Sequence, residues 1–375
     1  MNILIGADFV PTESNTAYFV RGDAQHLFGE ELQKLLAAAD YRIFNLETPL
    51  ADTATPIPKC GPNLIASTGA VAGYRAAGAD LLTLANNHIL DQGEAGLRTT
   101  VETLERAGIA HIGTGDTPHA AAEPYIFTCS GRKIGVYACA EHEFSIVSDT
   151  TAGANPIDLL ETPDHIAALK AQCDFVIVLY HGGKEYYRYP SPELQKICRK
   201  LTEKGADLVL CQHTHCIGCA ETHADGTIVY GQGNFLFDGS EHACWQTGLL
   251  VRIGDDFAVS YIPLVKQGET VRLAEGEAAE KILADFSVRS AEILQDGFVA
   301  QHYAAFAGEM LEDYLRRACA HRMRLPLRIC NKLSGYRLVP WLLKRRYGGV
   351  RMRVLENCLA CEAHRELFLE GVRHR

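Results

Sequence analysis

The chain has 375 residues, 47% apolar and 22% charged, with a net charge of −10; this is ordinary globular composition with ample material for a buried core. The charge is uneven: residues 1–313 carry 21 Lys and Arg against 42 Asp and Glu, a net of −21, whereas residues 314–375 carry 15 against 4, a net of +11. So acidic a body excludes general nucleic-acid binding, and no stretch reaches the roughly 18 uninterrupted apolar residues of a membrane span.

The opening MNILIGADFV lacks the basic start and long apolar run of an export signal, so a cytoplasmic location is expected, with the thirteen cysteines reduced. NILIGA at 2–7 predicts a strand, and QHLFGEELQKLLAAA at 25–39 has the spacing of an amphipathic helix. YRIFNLE at 41–47 predicts a second strand, GAVAGYRAAG a helix, and ADLLTLAN at 79–86 a third strand. The next helix ends at Gly108, a residue suited to a left-handed C-cap. Strands follow at 133–140, 173–181 and 206–213, separated by TPDHIAALKAQ, a helix capped by Thr162, and by PELQKICRKLTEKG. From 227 the texture changes. TIVYGQGNFLF, TGLLVRIG, FAVSYIPLV and TVRLA predict strands on short turns, an antiparallel meander. After about 275 strand signals stop and the chain reads as helical, giving two parts, 1–274 and 275–375.

In open α/β sheets ligands bind beyond the carboxyl ends of the strands. Those ends here collect donors: Asp8; Asn45 and Glu47; Asn86, Asn87, His88 and Asp91; His181 and Glu185; and His213 and His215. Carboxylate, amide and imidazole together form the mixed set that suits Mn²⁺, Zn²⁺ or Fe²⁺. In HTH, residues two apart on extended backbone project to one side, so both imidazoles face one cluster. In NNH, consecutive residues diverge, so one ligates a metal while the next serves the leaving group as an acid. A glutamate on a neighbouring strand can bridge two ions, and two metals roughly 3.5–4 Å apart clamp an in-line displacement and activate water. Glu141, His142 and Glu143 follow another strand end; they either line the same mouth or form an ordinary polar loop.

NLETPL (45–50), LANNHILDQGEAGL (84–97), HGGKEY (181–186), GADLVLCQHTH (205–215) and IVYGQGNFLFD (228–238) occur in that order. Together they resemble the CapA, or poly-γ-glutamate capsule biosynthesis, proteins, which are similar to calcineurin-type metallophosphoesterases; the resemblance covers residues 1–265. It implies a four-layer α-β-β-α sandwich of metallophosphoesterase type, here with an appended C-terminal helical region. It also implies one or two divalent ions per chain: Asp8 and His215 on the first, Asn87, His181 and His213 on the second, and Glu47 bridging. His88, with Asp91, is the implied catalytic acid. Asn45, Asn86, Glu141, His142, Glu185 and Asn234 are candidates for contacts to substrate or to the ligands. Val10 stands where calcineurin-type enzymes place a second ligand in Asp-x-His, so the first ion has fewer protein ligands. The family often carries an N-terminal membrane anchor, and none is predicted here.

Cys216-Ile217-Gly218-Cys219 and Cys358-Leu359-Ala360-Cys361 have zinc-knuckle spacing, but one site from both requires four thiolates to meet across about 140 residues. Burial as small hydrophobes is the expectation for the thiols. Residues 314–355 hold twelve Lys or Arg and no acidic residue. They are expected to pair with the acidic body, the alternative being weak contact with an anionic membrane or a polyanionic substrate. The expected function is a metal-dependent hydrolase acting on a phosphoester or an amide-linked anionic polymer such as poly-γ-glutamate. The alternative is a non-catalytic polymer-binding or assembly protein that keeps the fold.

Overall fold

The computed structural model describes residues 1–319, 325–348, 350–360 and 364. It divides into two compact units, Met1–Ala300 and Gln301–Arg375.

Alternation of side chains along the strands builds the first unit in layers. On the strand Ile3–Val10, Ile3 and Ile5 enter a core shared with Ile43, Leu81, Ile134, Ile177 and Leu208, so two sheets pack face to face there. Leu4 and Phe44 turn the other way, against Phe19, Leu27, Phe28, Tyr74 and Leu97 of the helices that cover the first sheet. Val176, Val178 and Val209 pack on Ile166, Leu169, Leu194 and Leu201 of the helices Thr162–Lys170 and Pro192–Glu203, which cover the second. The result is a four-layer α-β-β-α sandwich. Each large apolar side chain fully buried in these layers stabilises the fold by about 1.5–3 kcal/mol.

The first sheet runs 270–273, 259–267, 247–253, 3–10, 41–45, 81–83, 110–112, with 234–237 also pairing to 3–10; the second runs 220–223, 226–229, 208–212, 175–181, 132–140, 125–129. The strands that carry Asp8, Asn45, His181 and Gln212 at or near their carboxyl ends pair in parallel, 3–10 with 41–45 and 175–181 with 208–212, so those ends gather at one rim. The register slips between Asp8 and Phe9, a bulge that re-aims side chains. Phe9 thereby enters the helix-side core against Phe19, Phe28, Phe44, Tyr74 and Phe235, while Asp8 stays at the rim.

The segment 227–237 is two strands rather than one arm of a meander. Gly226–Val229 pairs in parallel with the second sheet and Asn234–Phe237 in parallel with the first. Gly231 (φ 144°) and Gly233 (φ 70°) take the chain across, in conformations that side chains disfavour. Only the last three strands of the first sheet pair as an antiparallel meander. The helix Gly276–Glu292 packs on the sandwich, through Phe286 in the core between the sheets and a hydrogen bond from Ala220 N to Ser290 Oγ.

In the second unit, helices Leu338–Tyr347 and Val350–Ala360 pack through buried Val339 and Leu343 against Met352 and Leu355. Among the described residues no helix is long and apolar enough to cross a membrane.

Candidate metal centre

The rim brings together donors from both sheets. Ligand atoms of Glu47, His181 and His213 lie within 4.8 Å of one another, and so do those of Asp8, Glu47 and His215. All five residues are buried, and Glu47 belongs to both groups. Its two carboxylate oxygens have no hydrogen-bond partner, nor does Asp8 Oδ2. Buried carboxylate oxygens without hydrogen bonds are costly; His181 Nε2, 3.2 Å from Glu47 Oε1, and His215 Nδ1, 3.3 Å from Asp8 Oδ2, offset part of that cost, and a divalent cation would offset more of it. The residues therefore fit a metal centre with a shared carboxylate.

The imidazole nitrogens point the same way. His181 Nε2 has three neighbours: Asn87 Oδ1 at 3.1 Å, His213 Nδ1 at 3.1 Å and Glu47 Oε1 at 3.2 Å. A single N–H cannot serve three partners, whereas a cation at their focus engages all their lone pairs. His213 and His215 do not reach the cluster on extended backbone, as the HTH spacing predicts. The strand ends at Gln212, and both histidines adopt positive φ, 89° and 53°. Such conformations cost about 1–3 kcal/mol each and persist where the surroundings enforce them.

Burial and mutual charge shift these groups in different directions. Burial disfavours the ionised Asp8, but hydrogen bonding and charge from His215, His181 and Asn45 outweigh it and hold the carboxyl at about 2. Burial likewise opposes the charge on His215, yet Asp8 and Glu47 raise it to about 9. His181 is also raised, its burial outweighed by Glu47. His213 goes the other way: burial first, then the charges of His181 and His215, push it well below the ordinary imidazole value.

Around this cluster the asparagines act as struts. Asn45 Nδ2 donates to Asp8 Oδ1 at 2.8 Å and lies 3.2 Å from His181 Nδ1. Asn86 ties Asn45 Oδ1 and the Leu46 carbonyl, and its own Oδ1 accepts from His88 N. Asn87 Nδ2 donates to Glu143 Oε2, which turns Oδ1 toward His181. Asn234 Oδ1 lies 2.9 Å from His215 Nδ1, orienting that ring, while the indole of Trp245 packs on it at 4.6 Å. Val10 is buried and brings no donor, so the group around Asp8 has three ligands from His, Asp and Glu.

His88 Nδ1 lies 2.6 Å from Asp91 Oδ2, leaving Nε2 as the nitrogen available to a substrate. Asp91 also accepts from Leu64 N and is ion-paired with Lys59, whose Nζ lies 3.2 Å from His88 Nδ1. Sequence reasoning missed Lys59, which arrives on the loop TATPIPKCGPN. That loop is tied to the NNH motif by Ile57 N to the Asp91 carbonyl and by Thr55 to Gln92. Ser145 was missed too; its hydroxyl bonds the Asn87 carbonyl and accepts from Leu90 N. A proline-rich loop and a lone serine carry no periodic signal.

Other expected residues contribute no side-chain hydrogen bond to the cluster among the described residues, though Glu141 N donates to the His181 carbonyl at 3.0 Å. His142 is exposed, and Glu185 shares no hydrogen bond with the cluster among the described residues. Glu141 is engaged by the Gly183 N–H. Cys211, Cys216 and Cys219 are packing groups. Cys211 and Cys219 join the core beneath the second sheet's helices, whereas Cys216 packs with Cys244 and Trp245, so the 216/219 pair does not converge. Cys361 and the Cys358 side chain lie outside the described residues.

The family model described as bacterial capsule synthesis protein PGA_cap matches residues 4–239. The capsule biosynthesis protein CapA of Bacillus anthracis is 27% identical over 217 residues, which cover 54% of this chain and 52% of that protein. The PGA biosynthesis protein CapA of Bacillus subtilis (strain 168) is 27% identical over 165 residues, 42% of each chain. The chain thus spans about half the length of these relatives or less. Among solved structures, a phosphatase from Mycoplasma pneumoniae aligns at 15% identity with a TM-score of 0.47, covering 72% of this chain and 94% of that one. With a match across most of its length, the chain belongs to the bacterial capsule synthesis protein PGA_cap family.

Proposed function

We propose that the chain is a metal-dependent hydrolase acting on a phosphoester or an amide-linked anionic polymer, in keeping with the capsule-synthesis family. One observation carries this reading: Glu47, buried with neither oxygen hydrogen-bonded, is shared by two groups of imidazole and carboxylate donors. Asp8, Glu47 and His215 would hold one ion, and Glu47, His181 and His213, with the Asn87 amide oxygen alongside, the other. Ions bound there supply Lewis acidity and an activated water. The protein's own part is positioning. Asn45 fixes Asp8 against His181, Asn87 is aimed by Glu143, and Asn234 with Trp245 sets the His215 ring. His88, held through Nδ1 by Asp91, which in turn pairs with Lys59, would deliver a proton from Nε2 to a leaving group.

The test is elemental analysis of protein purified without chelator, beside a His213→Ala/His215→Ala variant, followed by phosphoester and polyglutamate assays with added Mn²⁺. Bound Mn, Fe or Zn that is lost in the variant, with turnover that falls far more than metal content in His88→Ala, supports the hydrolase. Metal without turnover favours the second reading, a polymer-binding or assembly protein. Val10, which leaves the Asp8 group with three donors, is the observation behind it.

A further inference from the structure

Ile217, two residues after His215, lines a cavity of about 370 Å³. Arg188, Lys281, Arg289 and Asp285 are its charged lining residues, with Ile217 and Thr247 among the rest. Lys281 and Asp285 pair with each other at 3.2 Å. The two arginines have no carboxylate within ion-pairing distance among the described residues. Each makes one backbone contact: Arg188 Nη1 to the Ile217 carbonyl at 2.9 Å, and Arg289 Nε to the Gly218 carbonyl at 2.7 Å. A guanidinium has five N–H donors, so most of the donor capacity of both forks is unspent.

Arginines without carboxylates are unexpected here, because residues 1–313 carry a net charge of −21 and counter-ions are plentiful. Both side chains are also part-buried. Burial, and then the positive charge of Arg188, lower the pKa of Arg289, and the nearby Asp285, already paired with Lys281, does not offset them. Both arginines line this one cavity, and planar guanidinium forks are suited to carboxylate and phosphate oxygens.

We propose that this cavity is an anion-binding site, taking a carboxylate or phosphate group of a ligand between Arg188 and Arg289. It goes beyond the metal-centre reading and stands independently of it. The two sites are linked by backbone: the arginines hold the carbonyls of Ile217 and Gly218, just after His215. The turn Ala243–Gln246, whose Ala243 lines the cavity, carries the Trp245 that packs on His215.

The experiment is calorimetric titration of the full chain at low salt with two probes, inorganic phosphate and a glutamate decamer. Saturable binding of either supports the site, and the probe that binds identifies the group as phosphate or carboxylate. Arg289→Gln should weaken that binding about tenfold or more, and His213→Ala/His215→Ala should leave it unchanged. Absence of binding by both probes, undiminished binding in Arg289→Gln, or binding lost with the histidines overturns the proposal. Should Arg289→Gln fail to fold, arginine modification by phenylglyoxal in the wild-type chain decides. The bound probe must slow the reaction of Arg188 and Arg289, and not that of Arg106, whose side chain is 75% exposed; equal rates with and without probe overturn the site.

Discussion

Lys59 and Asp91 form a buried ion pair, the lysine side chain 1% exposed and the aspartate 0%. Removing one partner leaves an uncompensated charge, at a cost of about 3–5 kcal/mol, whereas replacing both by apolar residues can be nearly neutral. Lys59→Met should therefore lower the unfolding free energy measured by urea titration by that order. Asp91→Ala should lower it further, because Asp91 also anchors Leu64 N and His88. Lys59→Met/Asp91→Leu should recover part of the loss. Single variants as stable as wild type would show that the loop is not latched through this pair.

Glu47 is the residue on which both donor groups depend. In Glu47→Gln a carboxamide offers one weak oxygen ligand and no charge, so both ions should be lost, while Asp8→Asn should cost only the ion at the Asp8 group. Elemental analysis distinguishes the two. Stability should move the opposite way in metal-free protein. There the unpartnered Glu47 oxygens are a liability, and metal-free Glu47→Gln should melt no lower than metal-free wild type. A lower melting point would mean that the carboxylate is stabilised by the imidazoles alone.

Metal uptake should compete with protons at His215. In metal-free protein its pKa is raised to about 9, so the stability it contributes is complete below the ordinary imidazole value and lost as pH rises through about 9. Asp8, held at about 2, contributes stability that is present above the ordinary carboxyl value and lost as pH falls through about 2. A metal ligand must be neutral imidazole, so binding at the Asp8 group displaces the His215 proton. Mn²⁺ affinity should rise between about pH 6.5 and 9 and level off above, with proton release detectable as a buffer-dependent heat. A pH-independent affinity over that range would remove His215 from the ligand set.

The donor set was legible in the sequence because each member follows a strand whose apolar run is unmistakable: NILIGA before Asp8, FVIVLY before His181, LVLCQ before His213. What was not legible depends on where the chain bends. The spacing of HTH suggested an extended segment, and the structure replaces it with two left-handed residues. TIVYGQGNFLF has the composition of one strand, and only Gly231 and Gly233 hint that it crosses between sheets. The short strands Ala110–Ile112 and Ala220–His223 offer too few apolar positions to alternate. Lys59 sits on the loop before the NNH motif, and Arg188 and Arg289 come from a loop and a helix distant in sequence, so no local pattern marks either contact.

Gly231 tests how closely the crossing supports the metal centre. At φ 144° a side chain is strained, and a Cβ there would lie 2.7 Å from the Cys216 carbonyl oxygen and 2.9 Å from Thr214 Oγ1. Both contacts are with the segment that carries His213 and His215, and the Cys216 carbonyl also accepts from Gly233 N. Gly131 is the natural control: it too has a positive φ, 76°, but a Cβ would meet nothing within 4 Å. Gly131→Ala should cost about 1 kcal/mol of backbone strain and leave metal content intact. Gly231→Ala should cost several times more in thermal unfolding and reduce bound metal as well, since the carbonyl it pushes belongs to the residue after His215. If both variants lose stability equally and Gly231→Ala retains its full metal content, the crossing and the metal centre are mechanically separate.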